Sequence, residues 1–526
     1  MALYLGFDSS TQSLTATVID VQDGARRIVF EDSIVFDEAF PQYGTRNGVI
    51  TSDGRTVTAP PRMWADALET MAARLRDSGV DLRRIRAISG SGQQHGSVYL
   101  AHGAGRILAS LDPQRPLAAQ LEGVFSRSDS PVWLDCSTTA QCATLASAAG
   151  GDRALAEITG SRAYERFTGA QISKFAAEHP DAYARTERIH LVSSFMATLL
   201  CGADAPLEPG DGSGMNLMDL AAREWASACL EAAAPDLRRR LPPLRESWSI
   251  AGPLSSYWQR RFGFGPARVV TWSGDNPSSL IGLGLIEEGQ LGISLGTSDT
   301  VFAPKSSPAP DPRGAGHVFG SPAGGYMALT CFSNGSLARE RVRDQYGLDW
   351  EAFSARLATT EPGNDGALMV PWFMPEITPT IDRPGPHRLD LDAADATRNV
   401  RAVVEGQAMA MRIYSQWFAP KVTAIRATGG AAANQQILQV IADVFDAEVV
   451  RIAPPNAASL GAALRAFHAD RLADGRPLPW SGVISGFTDP IAGTGAQPRR
   501  EAVEVYQELL AKYRLLVEKL LQEERR

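Results

Sequence analysis

The sequence predicts an α/β fold built from two related halves. Three observations carry that expectation. Short apolar strands alternate with amphipathic helical stretches along the chain, the pattern of an α/β architecture. A strand, a polar turn and a second strand stand at the start, and a unit of the same chemistry recurs more than half a chain later. A repeat at that distance points to two related halves rather than a solenoid of short units. With 526 residues, the chain is long enough for two large domains.

Residues 2–8 are mostly apolar, Ser9–Ser13 is polar, and Leu14–Asp20 alternates, which predicts a β-hairpin. Pro61–Leu75 repeats its apolar residues at helical spacing. Ile85–Ser89 reads as a strand that runs into Gly90-Ser91-Gly92-Gln93-Gln94-His95-Gly96. Leu241–Gly265 is rich in Pro, Gly, Ser and aromatic residues, and there the sequence suggests the main boundary, giving units 1–255 and 256–526. Val269–Trp272 is a further strand, ending in Ser273-Gly274-Asp275-Asn276. The second hairpin follows, with strand Gln290–Leu295, turn Gly296–Ser298 and strand Thr300–Ala303. Ser306–Arg313, Pro362–Gly366 and Pro375–Arg388 read as loops. Ile425–Thr428 is a strand that opens into Gly429-Gly430-Ala431-Ala432-Ala433-Asn434 and a helix over Gln435–Phe445. The end, Arg500–Glu523, is a long amphipathic helix with Val505, Leu509, Tyr513, Leu516 and Leu520 near one face, expected to pack on the second domain.

Composition excludes several classes. Hydrophobic residues make up 44% and charged residues 21%, as in soluble globular proteins. The formal charge of −8 speaks against a nucleic-acid binder. The sequence has no uninterrupted apolar run long enough to span a bilayer, and its start lacks the basic and apolar regions of a signal peptide. Five widely spaced cysteines without a C-x-x-C pair predict reduced thiols in a cytosolic protein, and no ligand cluster suggests zinc.

Nucleotide phosphates call for backbone N–H donors, small side chains and room for a metal. The first hairpin supplies Ser9, Ser10, Thr11 and Gln12, with Asp8 at the strand end as a carboxylate suited to hydrated Mg²⁺. The second supplies Gly296, Thr297 and Ser298. Two such turns facing each other would grip a triphosphate. Gly429 and Gly430 would let the backbone approach an adenosine and its α-phosphate, with Asn434 as a polar contact. The P-loop motif is absent. Gly90–Gly96 loosely resembles a dinucleotide-binding fingerprint, with Asp112 about 20 residues on, but little room is left for the required helix. Asp275 could accept a proton from a sugar hydroxyl while Asn276 fixes a neighbouring hydroxyl, although Gly-Asp-Asn is also ordinary turn chemistry.

Taken together, these motifs resemble the FGGY carbohydrate kinases over essentially the whole chain. The resemblance rests on Gly6-Phe7-Asp8-Ser9-Ser10-Thr11-Gln12-Ser13, Gly92-Gln93-Gln94-His95-Gly96, Gly274-Asp275-Asn276, Ser294-Leu295-Gly296-Thr297-Ser298 and Ala427-Thr428-Gly429-Gly430-Ala431. It implies the actin- and hexokinase-like (ribonuclease H-like) two-domain fold, with the active site in the interdomain cleft. The Gln93–Gly96 loop, Pro131–Asp135, Gly160–Gly169, Ser193–Phe195 and Asp211–Leu217 look like the branch that phosphorylates D-xylulose. On that resemblance Asp275 is the general base, and His95, Arg166, Asp275 and Asn276 bind the sugar. Asp8 organises Mg²⁺. Thr11, Gln12, Thr297 and Ser298 face the phosphates of ATP, while Trp350, Gly429, Gly430 and Asn434 hold the adenosine. A cytoplasmic monomer or homodimer acting on a small sugar is implied. Other ketopentoses or polyols, and a nucleotide switch without sugar chemistry, are the alternatives. Two departures from the family stand out: Ser9-Ser10 replaces a frequent Gly-Thr, and Gln94 stands where Met is common.

Overall fold

The computed structural model describes residues 2–22, 25–452 and 456–524. The first sheet is assembled from β1 (Ala2–Ser9), β2 (Ser13–Gln22), β3 (Ala25–Val35), β4 (Ile85–Gly92), β5 (Ile250–Pro253), β6 (Arg268–Val270) and the short β7 (Ser273–Gly274). Its order is β5-β6-β4-β1-β2-β3, and β7 extends the edge of β4. The second sheet contains β8 (Gln290–Leu295), β9 (Asp299–Lys305), β10 (His317–Gly320), β11 (Tyr326–Phe332), β12 (Ala424–Thr428) and β13 (Glu448–Arg451), in the order β10-β11-β9-β8-β12-β13.

The internal repeat is visible in the pairings. In each sheet a central strand, β1 or β8, makes an antiparallel hairpin with the next, β2 or β9. On its other side it pairs in parallel with β4 or β12. That strand pairs in parallel with β6 or β13. The hairpin partner continues antiparallel to β3 or β11. The two polar turns therefore sit at equivalent corners of two similar sheets, which no local pattern could specify.

Alternation along the strands buries both faces of the first sheet. Leu3, Leu5 and Phe7 join Leu14, Ala16 and Val18 beneath helix α1 (Pro61–Asp77), which contributes Met63, Trp64, Leu68 and Met71. Tyr4 and Ile19 point the other way, into a core with Leu460, Leu464 and Phe467. Those last three lie on a helix near the end of the chain, so the second half returns to cover the first sheet.

The expected boundary at 255/256 falls inside the first sheet, because β5 and β6 flank it. The Pro and Gly residues there are turn spacers around an edge strand, and Tyr257, Trp258, Phe262 and Phe264 are buried in the first core. The chain changes sheet between Gly274 and Gln290. We propose that the domain division follows this change.

Helix α2 (Asp275–Gly282) starts directly after β7 and crosses α3 (Ala457–Ala473) closely. A Cβ on Gly461 would lie 1.9 Å from the Ser278 carbonyl oxygen, so only glycine permits this crossing. The terminal helix α4 (Arg500–Glu524) packs on the second core as expected. Its buried line is Val503, Tyr506, Leu509, Tyr513, Val517 and Leu520; Val505 is 38% exposed and Leu516 only half-buried. On that line the Tyr506 hydroxyl donates to buried Glu405 at 2.6 Å and accepts from Arg401 at 3.1 Å. No helix among the described residues is long and apolar enough to cross a membrane. All five cysteines are free thiols.

Candidate active site

The first hairpin turn is tied by its own small donors. The Ser10 N–H and hydroxyl both donate to the Ser13 carbonyl, at 2.9 and 3.0 Å. Thr11 Oγ1 accepts from the Trp133 indole at 2.8 Å and donates to Gln93 Oε1 at 3.4 Å. The second turn is braced from behind. The buried Arg339 guanidinium reaches both oxygens of Asp299 at 2.9 and 3.1 Å, and also Gln407 at 2.8 Å. Gln12 and Ser298 are exposed at the tips of the two turns.

Asp8, one residue before the end of β1, lies opposite Ser91 in the parallel register, and the Ser91 hydroxyl donates to it at 2.7 Å. Together with Asn276, Ser294, Thr300 and Thr428, Asp8 lines a cavity of about 280 Å³ walled by both sheets. Burial raises the Asp8 carboxyl to about 7, and the charge of Asp275 adds to the rise. Asp275 itself is raised to about 6 by burial, against opposing hydrogen bonds from the Asn276 and Gln94 N–H groups. The charge of Asp275 thus disfavours ionisation of Asp8, whereas burial is what raises Asp275.

Asp275 does not sit in a turn. It is the first residue of α2, where a helix N-terminus favours negative charge. Its Oδ1 accepts from the Asn276 N–H at 2.8 Å and from Asn276 Nδ2 at 3.1 Å. Oδ2 makes no side-chain hydrogen bond among the described residues. Oδ1 is thus held by Asn276, while the Gln94 N–H also supports the carboxylate.

His95 follows the Gln93-Gln94 pair at a backbone φ of 73°, in the left-handed region. Its Nδ1 faces the Gly214 carbonyl at 2.8 Å. A carbonyl only accepts, so Nδ1 carries the proton and Nε2 is left as an acceptor. Burial lowers the imidazole to about 3, and the Arg166 charge lowers it further, so the ring stays neutral. It packs on Phe167, with ring centroids 4.3 Å apart. Arg166 lies over the Tyr164 ring at 5.0 Å and donates to His317 Nε2 at 3.3 Å. His317 comes from β10 of the second sheet, so both halves contribute to this cluster.

The second half alone encloses a larger cavity of about 840 Å³, lined by Thr297, Trp350, Ser354, Gly430 and Asn434 among others. Trp350 opens a helix over Trp350–Ala358 and is 43% exposed, with the Arg343 guanidinium 4.5 Å from its ring. Asn434 caps the helix over Gln435–Phe445, accepting from the Gln436 and Ile437 N–H groups at 3.0 and 3.3 Å, and donates to Ser354 at 2.6 Å. Gly429 has φ 86°, and a Cβ there would lie 2.5 Å from the Leu295 carbonyl oxygen, so the loop can press against β8 only as glycine. Gly429 and Thr428 line a neighbouring cavity of about 440 Å³. Gly90–Gly96 is a strand end and a turn leading into another strand, Ser97–Ala101, not a helix, and Asp112 is exposed; this is no dinucleotide fingerprint.

Sequence comparison agrees with this geometry. The FGGY family of carbohydrate kinases matches twice, its N-terminal domain over residues 129–282 and its C-terminal domain over 291–469. A xylulose kinase of Rattus norvegicus is 45% identical over 534 residues, covering 99% of this chain and 97% of that protein. The chain belongs to the FGGY family of carbohydrate kinases. Xylulose kinase 2 of Arabidopsis thaliana is 43% identical, covering 89% of this chain and 87% of its own. The fold of this FGGY kinase is similar to that of a xylulose kinase from Rhodospirillum rubrum, with a TM-score of 0.83, 18% identity and full coverage of both chains. It also resembles a glycerol kinase from Plasmodium falciparum solved with ADP, with a TM-score of 0.78, 16% identity, and 99% and 98% of the two chains covered.

Sequence reading missed several parts of the FGGY kinase site. Gln93 and Trp133 lay in stretches that carried the resemblance but were given no role, and His317 carried no local signal, because only the tertiary fold brings them to Thr11 and Arg166. Asp211–Leu217 carried the resemblance but was given no role; the segment Glu208–Met215 is two short helical turns, Pro209–Gly212 and Ser213–Met215. In the structure it supplies the Gly214 carbonyl to His95. Behind it lies a buried cluster of acids. Burial raises Glu208 to about 7 and Asp211 well above its ordinary range, and the buried Arg465 guanidinium opposes both shifts.

Proposed function

We propose that this kinase transfers the γ-phosphoryl group of ATP to D-xylulose, giving ADP and D-xylulose 5-phosphate. The single observation that carries the mechanism is Asp275, held at a helix N-terminus beside a cavity walled by both hairpins. Its carboxylate accepts the O5 proton as that oxygen attacks the γ-phosphorus in line and ADP leaves. The 45% identity with the rat xylulose kinase supports the choice of sugar.

His95 Nε2 accepts a sugar hydroxyl, and the Arg166 guanidinium donates to a sugar oxygen. Thr11, Gln12, Thr297 and Ser298 surround the phosphates, and the Trp350 indole meets the adenine. Gly429, Gly430 and Asn434 bound the adenosine. The surroundings of Asp8 fit Mg²⁺: an acid pair without a neutralising cation, flanked by hydroxyls and small side chains, suits an ion held by one carboxylate, water and substrate phosphates. When bound, Mg²⁺ supplies neutralisation of the developing charge on the transferring group. We place the reaction in the cytoplasm, which the five free thiols support.

ADP release by purified protein with ATP and Mg²⁺ tests the reading, run in parallel with D-xylulose, D-ribulose, L-ribulose, glycerol and no sugar. Release led by D-xylulose is expected. Release led by another sugar overturns the substrate, and no stimulation by any sugar overturns the kinase reading for this panel. Trp350→Ala is expected to raise the KM for ATP about tenfold, with the KM for sugar moved less than about twofold, since base–aromatic stacking contributes about 1–3 kcal/mol. An unchanged KM for ATP removes Trp350 from the adenine site.

A further inference from the structure

Three polar links run from the backbone of the Glu208–Met215 segment to the acid that the proposed reaction uses. Gln94 Nε2 donates to the Gly210 carbonyl at 3.3 Å. Asn276 Nδ2 donates to Gln94 Oε1 at 3.0 Å and to Asp275 Oδ1 at 3.1 Å. The two ends of this chain accept only: a backbone carbonyl at Gly210 and a carboxylate at Asp275. That fixes the direction of every link between them. Gly210 obliges Gln94 to present its amide nitrogen there and its oxygen to Asn276. Gln94 and Asp275 together oblige Asn276 to spend its nitrogen on them. Asn276 Oδ1 then has no protein partner among the described residues, and Asn276 lines the cleft cavity.

The fold protects this arrangement. Gln94 is 3% exposed. Its stem passes directly over Gly274, where a Cβ would lie 2.5 Å from Gln94 Cγ, so glycine before Asp275 is what admits the side chain. Gly214, the residue that holds His95, is packed beside the same amide, its Cβ position 3.7 Å from Gln94 Nε2.

We propose that Gln94 is a positioning residue for the sugar: it locks the Asn276 amide with its oxygen toward the cleft, so the pocket demands a hydroxyl that donates at that point. Without Gln94 the Asn276 amide keeps only its bond to Asp275 Oδ1 and loses one of the two acceptors that hold its oxygen toward the cleft. Gln94 acts through Asn276 and need not touch the sugar. This inference rests on the reading of the cleft as a sugar-kinase site.

The test is a double-mutant cycle on steady-state kinetics with D-xylulose. Gln94→Met keeps the length and apolar packing of the stem and removes both polar links. It is expected to raise the KM for sugar about tenfold, the scale of one hydrogen bond in a buried site, while kcat and the KM for ATP move less than about threefold. In an Asn276→Ala background the same substitution is expected to change the KM for sugar less than twofold, because the group it orients is gone. If Gln94→Met does not fold, Gln94→Asn, too short to reach both Gly210 and Asn276, is measured in the same cycle with the same expectation. An unchanged KM for sugar in the single variant overturns the proposal, as does a rise of equal size in both backgrounds. Wild-type protein without sugar-dependent ADP release would overturn the kinase reading and this proposal together; active wild type with an unaltered variant overturns this proposal alone.

Discussion

Asp275→Asn is expected to lower kcat about 10²–10⁴-fold while the KM for ATP stays within about twofold, the range that loss of general-base transfer produces. The substitution preserves shape and the two bonds to Asn276 at one atom, and it removes only the basic oxygen. Nucleotide binding survives because the 840 Å³ cavity is formed by the second half alone. ATP titration, followed by quenching of tryptophan emission, checks that point independently of turnover. Turnover close to wild type would take Asp275 out of the base role. In the wild type, kcat/KM for sugar is expected to fall as the pH drops through about 6, because the base must be ionised and burial raises Asp275 to about that value. A profile flat down to pH 5 would contradict the raised base.

Asp8→Asn is expected to trade activity for stability. Removing the carboxylate from between the hairpins should cost about 10²–10³-fold in kcat, the size of a lost electrostatic contact to the transferring group. The stability effect follows from proton linkage. The folded-state pKa of Asp8 is raised to about 7 from its ordinary 3.8, so the folded state holds this proton more tightly than the unfolded chain. Below about pH 4 both states are protonated and the group costs nothing. Between about pH 4 and 7 the unfolded chain ionises this group while the folded state still holds its proton, so stability falls across that window and stays low above it. Asparagine removes that cost. The melting temperature, measured without nucleotide or Mg²⁺, is therefore expected to rise about 2–4 °C at pH 8 and less at pH 5. An equal gain at both pH values, or a loss at pH 8, would show that Asp8 is not the burdened group.

Much of this was legible before any coordinates. Both hairpins, Ile425–Thr428 and the helix Gln435–Phe445 lie where period-two alternation, glycine and the Asn434 cap put them. Asp8, Asp275 and the Gly429-Gly430 loop stood out because strand ends and glycine turns are where an α/β fold exposes backbone to a ligand. The boundary was misread for a physical reason: Pro and Gly mark turns, and turns around an edge strand look the same as turns between domains. On the terminal helix Leu509, Tyr513 and Leu520 lie on the buried face as expected, while Tyr506 and Val517 take the places expected of Val505 and Leu516.

The chain by itself determined its α/β class, the doubling of its architecture, its family and the residue types that do chemistry, since each is written in local spacing and composition. The tertiary structure alone decided which groups meet. Asp8 gains a near-neutral pKa only because two sheets bury it beside Asp275. His317 reaches Arg166 from the other half of the chain, and Gln94 finds Gly210 and Asn276 across sequence separations that no periodicity encodes. Charge, desolvation and hydrogen-bond direction depend on distance in space, and that distance is set by the packing of the whole fold rather than by any segment of it.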